Sequence, residues 1–176
     1  MSKALLLIDM QRFVENRIEQ GIHYYPQDAI SNMRYVLNRF RMNNEMIIHI
    51  IHQTPMEGSL LHENSPYYTL MDDFKNASSE VLFVKQTSSA FASTQLKQYL
   101  ENNAITELVV IGAVAGFCVN STIRHGADLG IIMTVVSDAV ISFDLPDLQC
   151  EAKNIHDVTI GLLQSDFAKI SLASSY

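Results

Sequence analysis

Three residues with reactive side chains stand just past apolar runs of strand length. Asp9 closes residues 4–8, Lys85 closes residues 81–84, and Cys118 follows residues 108–111 through the small-residue turn Gly112-Ala113-Val114-Ala115-Gly116. A cysteine placed where a turn opens into a helix, as the spacing predicts for residues 118–129, has its thiolate favoured by the helix dipole and the free N–H groups of the first turn. The small residues before it let a carbonyl approach those N–H groups, which could serve as an oxyanion hole. A carboxylate beside the thiol is a proton acceptor, and a lysine beside both favours their charged forms. The chemistry such a set offers is nucleophilic attack on a carbonyl. Each residue also has a plainer use. A cysteine is a small hydrophobe that is commonly buried, Asp9 suits a cap or turn, and a lysine after a strand is commonly solvated. Cys150, which sits inside a helical pattern with no special turn, fits the plain use.

The elements that would position these residues alternate along the chain. Apolar runs at residues 4–8 and 108–111 read as buried strands, the β-branched-rich 46–51 and the segments 81–84 and 131–136 also read as strands, and a last strand is expected near 167–172. Helical spacing over residues 28–43 puts Ile30, Met33, Val36, Leu37 and Phe40 on one face, and residues 93–102, 118–129 and 147–163 also read as helices. Apolar strands separated by helices predict an α/β fold, a parallel sheet covered on both faces. Ligands of such sheets lie beyond the carboxyl ends of the strands, where strand order reverses. That rule selects Asp9, His52, Lys85, the turn from Gly112 to Cys118, and Asp138. Residues 53–76, with Pro55, Gly58 and Pro66, read as a long irregular excursion leaving the same edge.

Histidine could supply an alternative base for the cysteine. Of the six, only His52 ends a strand on the selected edge, with His62 in the excursion after it; both read as polar pocket groups or as solvated histidines. The chain contains no His-x-His, no His-Glu-x-x-His and no acidic cluster with calcium-loop spacing, so no metal is expected. Neither a Gly-x-Gly-x-x-Gly after the first strand nor a phosphate-binding loop occurs, so no nucleotide cofactor is expected. A net charge of −7 disfavours nucleic acid. No apolar run reaches the ~20 residues of a membrane span. The opening apolar run meets Asp9 too soon for a secretory signal, and two cysteines make no disulfide framework, so a cytoplasmic protein is expected. At 176 residues, residues 1–176 are expected to form a single domain acting on a small molecule.

Several segments in register resemble the isochorismatase-like cysteine hydrolases. Leu-Leu-Ile-Asp-Met-Gln at residues 6–11 resembles their opening strand, and Val84-Lys85-Gln86 with Ser89-Ala90-Phe91 resembles their lysine segment. The run from Gly112 through Cys118 to Thr122 resembles their nucleophile turn, and Ser137-Asp138-Ala139 the segment after the next strand. The resemblance covers nearly the whole chain. It implies a doubly wound, Rossmann-like sheet of six parallel strands in the order 3-2-1-4-5-6. It implies a triad of Asp9, Lys85 and Cys118, a cis peptide between Ala113 and Val114, and oxyanion donors at the Val114 and Cys118 N–H groups. Gln11, Phe13, His52, Gln53, His62, Phe91 and Phe117 are the pocket candidates, and a homo-oligomer is implied. Where the metal-dependent nicotinamidases of the superfamily carry Asp-x-His, this chain has His52-Gln53-Thr54-Pro55, which argues against that branch. Cys118 favours hydrolysis of an amide-like C–N bond through a thioester, with Asp9 as general acid and base. The alternatives are a vinyl-ether hydrolase that uses Asp9 alone and a non-catalytic binding protein on the same scaffold.

Overall fold

Successive residues of the first strand, β1 (Ser2–Ile8), alternate between two cores. Leu5 and Leu7 face one, Ala4, Leu6 and Ile8 the other, and all five are fully buried. This is why the run is continuously apolar: a strand in the middle of a two-faced parallel sheet has no solvent side. β5 (Ile105–Ala113) repeats the pattern, with Val109 and Ile111 on one face and Leu108 and Val110 on the other. The computed structural model describes residues 2–176.

The remaining strands are β2 (Tyr24–Tyr25), β3 (Met46–His52), β4 (Val81–Lys85), β6 (Ile132–Phe143) and β7 (Lys169–Ser171). The parallel strands lie side by side as β4-β3-β1-β5-β6-β7, and β2 adds antiparallel to the far end of β6. Strand order reverses at β1, which has β3 on one side and β5 on the other. The helices α1 (Phe13–Glu19) and α2 (Ala29–Met42) supply the first core with Phe13, Val14, Met33, Val36, Leu37 and Phe40. On the opposite face lie α3 (Ala90–Ser93), α4 (Leu96–Asn102), α5 (Asn120–Asp128) and α6 (Ala152–Asp166), with Phe91, Leu96, Leu100, Ile123, Ile160 and Leu163 in the second core. Each fully buried side chain of this size contributes roughly 1.5–3 kcal/mol.

Several elements differ from expectation. The expected helix over 93–102 is two short helices, because Ser89 caps α3 by accepting from the Phe91 N–H, and Thr94 Oγ1 then accepts from Leu96 N–H to start α4. β6 runs on past Val136 to Phe143, so Asp138 lies inside the strand rather than beyond it; its Oδ1 accepts from the Ala173 N–H and fastens the carboxyl-terminal segment. α6 begins at Ala152, where Asp144 Oδ1 accepts the first N–H, and Cys150 therefore sits in the preceding loop, bridged to Leu145. Among the described residues no helix is long and apolar enough to cross a membrane.

Candidate active site

β1, β3 and β4 end side by side, and the turn after β5 faces them. His52 and Lys85 are register partners at the ends of β3 and β4, and Ile8 pairs with Gly112. Asp9 leaves β1 in the left-handed conformation (φ 52°), with its N–H held by the Ile50 carbonyl at 2.9 Å. Aspartate tolerates that region better than most residues. Gly112 is required by contact: a Cβ there would lie 2.1 Å from the Ile8 carbonyl oxygen. That close approach brings the β5 turn down onto Asp9.

The turn itself is a single wide loop. The peptide between Ala113 and Val114 is cis. The N–H groups of Phe117 and Val119 both donate to the Val114 carbonyl, at 3.0 and 3.4 Å, and Phe117 has non-helical dihedrals in the middle. The expected helix start at Cys118 is thus replaced by this turn, and α5 begins two residues later at Asn120.

The buried Lys85 ammonium has three donors and meets three acceptors. It lies 2.8 Å from Asp9 Oδ2, 2.7 Å from His52 Nδ1 and 3.2 Å from Cys118 Sγ. The second Asp9 oxygen, Oδ1, is buried with no hydrogen-bond partner. Burial raises the Asp9 pKa, against the opposing pull of Lys85. Burial also pushes the Cys118 thiol up to about 12, with the Asp9 charge adding to it and Lys85 resisting. His52 is pushed down to about 4 by burial and by Lys85. The resting site therefore holds a neutral thiol and a neutral imidazole that accepts at Nδ1, beside the 2.8 Å contact of Asp9 with Lys85. Ligand atoms of Asp9, His52 and Cys118 lie within 4.8 Å of one another, close enough to hold a cation. The Lys85 ammonium already takes that central position.

These groups open on a cavity of about 190 Å³ lined by Asp9, His52, Val114 and Cys118, with Phe13, Phe117 and others as apolar wall. The family model of the isochorismatase domain matches residues 3–170. The chain belongs to the isochorismatase family. It is a hydrolase of that family, and similar proteins span nearly its full length. An uncharacterized isochorismatase family protein of Bacillus subtilis is 28% identical over 172 residues, covering 96% of this chain and 90% of its own. A ureidoacrylate amidohydrolase of Caulobacter segnis is 33% identical over 84 residues, 48% of this chain and 35% of that protein. An isochorismatase-family crystal structure from Chromobacterium violaceum superposes with a TM-score of 0.91 at 25% identity, covering 98% of this chain and 90% of that one.

Not every expected pocket residue of this isochorismatase-family site reaches the cavity. Phe13, His52 and Phe117 do. Gln11 is fully buried behind it: Nε2 donates to the carbonyls of His52 (3.0 Å) and Tyr68 (2.6 Å), and Oε1 accepts from the His52 N–H (2.8 Å). It braces the strand end that carries His52. Phe91 belongs to the second core and packs on His125, with ring centroids 5.6 Å apart. Gln53 turns outward to donate to Glu63, and His62 lines a separate hollow within the excursion, where its Nδ1 accepts from the Asn64 N–H. In their place the cavity is walled by Leu61, Phe143, Leu145 and Arg17. Phe143 and Leu145 were out of reach because β6 extends further than its apolar run. Arg17 was missed with α1, a helix whose i, i+4 pair Phe13 and Arg17 was its available signal.

Proposed function

We propose that this chain hydrolyses the C–N bond of small amides through a thioester on Cys118. The observation that carries the proposal is the ammonium of Lys85 donating at once to Asp9 Oδ2 and Cys118 Sγ while Asp9 Oδ1 has no partner. Lys85 orients the carboxylate and the sulfur, and the free oxygen is left to receive the thiol proton.

The steps balance as follows. With the thiol near 12, the proton stays on sulfur until a carbonyl is in place, and transfer to Asp9 accompanies attack. The S–C bond forms as the carbonyl electrons move onto oxygen. The N–H groups of Val114 and Cys118 are assigned to that oxyanion, each such donor typically worth about 3–4 kcal/mol. The C–N bond breaks, and the amine leaves with the proton held by Asp9. Water then gives a proton to Asp9 and its oxygen to the thioester carbonyl, the S–C bond breaks, and sulfur recovers its proton as the acid departs. The amidohydrolase among the relatives supports C–N chemistry. A cavity of about 190 Å³ is smaller than the roughly 300–1,000 Å³ of sites for drug-sized ligands, which favours a metabolite-sized substrate.

The test is ammonia release from a panel of primary amides, with intact-mass trapping of the acyl-enzyme. The expected result is an acyl adduct on Cys118 and loss of turnover in Cys118→Ala. Full turnover by Cys118→Ala would overturn the covalent route.

A further inference from the structure

Arg17 is the one arginine of six whose side chain has no hydrogen-bond or ion-pair partner among the described residues. Arg12, Arg34 and Arg41 pair with carboxylates, Arg39 donates to the Tyr176 carbonyl, and Arg124 donates to Asn120. Arg17 instead lines the cavity that holds Cys118, half-buried, with its guanidinium carbon 5.3 Å from the centre of the Phe143 ring. That stacking holds the group over the pocket without using its N–H donors. Arg17 also borders a neighbouring hollow that includes Asp144 and Asp147, and neither carboxylate pairs with it; of the acids beside it in sequence, Glu15 lies 4.0 Å from Arg12 and Glu19 is exposed. Asp144 accepts from the Ala152 N–H at 2.7 Å and lies 3.6 Å from His23, and Asp147 is exposed.

The charge of the cavity follows from its lining. Asp9 and Lys85 cancel, Cys118 and His52 are neutral, and Phe13, Leu61, Val114, Phe117, Phe143 and Leu145 carry none. One unmatched positive charge remains, in a protein whose net charge is −7. We propose that Arg17 is a specificity-determining residue that binds a carboxylate on the substrate while Cys118 attacks the amide carbonyl. A guanidinium presents parallel N–H donors that match the two oxygens of a carboxylate. A phosphate dianion would call for a second free cation, and the cavity lining offers none. The substrate class is thus a short amido acid, its amide at Cys118 and its carboxylate at Arg17. The amide half of this inference rests on the proposed hydrolysis; the anion half does not.

Two measurements separate the halves. The first is alkylation of Cys118 by iodoacetate and by iodoacetamide, reagents of similar size that differ in charge, followed by intact mass. The ratio of the two rates cancels the fraction of thiolate. It should fall at least about fivefold in Arg17→Gln and stay within about twofold of the native value in Arg17→Lys, since a lost charge acts on the charged reagent alone. A native-like cooperative thermal melt shows that Arg17→Gln is folded. A ratio equal in native protein and Arg17→Gln would overturn the anion subsite. The second is steady-state hydrolysis of succinamate against its neutral analogue levulinamide. Native enzyme should prefer succinamate, and Arg17→Gln should lose that preference through KM while still turning over levulinamide. Turnover of both amides with no preference would overturn the assignment of Arg17 and leave the hydrolysis standing. A charge-dependent alkylation ratio with no amide turnover would do the reverse.

Discussion

Nδ1 of His52 lies 2.7 Å from the ammonium of Lys85, at the end of the strand that pairs with β4. His52 is therefore a partner of the lysine as well as a pocket wall, and it takes the third N–H that Asp9 and Cys118 leave over. Substituting phenylalanine keeps the volume and removes the acceptor. His52→Phe should lower kcat/KM about tenfold, in the range typical of groups that orient a reactive centre, measured by steady-state kinetics on a confirmed amide. Unchanged kinetics would show that two acceptors suffice to place Lys85.

The same imidazole makes stability depend on pH. Burial and Lys85 push His52 from 6.5 down to about 4, so between those values the unfolded chain takes up a proton that the folded chain refuses. This contribution to stability is complete above pH 6.5 and is lost as pH falls toward 4. His49, lowered by burial, acts in the same direction. Glu80 adds a lower window. Burial alone would raise it, but hydrogen bonds from Arg41, the Ala77 N–H and His49 hold it at about 2, so its contribution is lost from 4.5 down to about 2. Asp9, raised by burial, acts in the opposite direction, so the test compares thermal melts of native protein and His52→Phe at each pH across this range. The Tm difference between native protein and His52→Phe should shift against the native protein as pH falls from 6.5 toward 4, and stay constant below that.

Gln11 braces the site from behind, and its removal should loosen the excursion before it touches the chemistry. Gln11→Leu leaves the His52 N–H and the carbonyls of His52 and Tyr68 without their side-chain partner. A buried polar group stripped of its partner costs about 1–3 kcal/mol. The expected outcome is a loss of about 2 kcal/mol or more in urea unfolding, with faster amide hydrogen exchange across residues 53–70. Unaltered exchange in that segment would contradict the bracing role.

Gly112 admits no side chain. It combines φ 128° with a position where a Cβ would meet the Ile8 carbonyl oxygen at 2.1 Å. Gly112→Ala should cost about 3 kcal/mol or more, because backbone must separate from backbone, and chemical denaturation of the purified variant measures it. Wild-type stability would mean that β1 and β5 can part without cost.

The strands were legible in the sequence wherever burial on both faces made them continuously apolar, as in residues 4–8 and 108–111. So were the ends of those strands, and with them Asp9, His52, Lys85 and the small-residue turn before Cys118, because a parallel sheet collects such ends at one edge. That is local information: a strand's length and its last residue are written along the chain. The partners of those residues were not. Gln11 and Phe91 have polarity and shape suited to a pocket, yet each points into the protein, since side-chain direction depends on which neighbour arrives from elsewhere in the chain. Arg17, Phe143 and Leu145 meet Cys118 across more than a hundred residues or from the next strand over. Only the packing of α1 and the far end of β6 over the sheet edge decided that an unpaired arginine lines the cavity that holds the thiol. The three reactive groups were thus set by sequence at strand ends, while the charge and walls of their cavity were decided by tertiary contacts that no local pattern encodes.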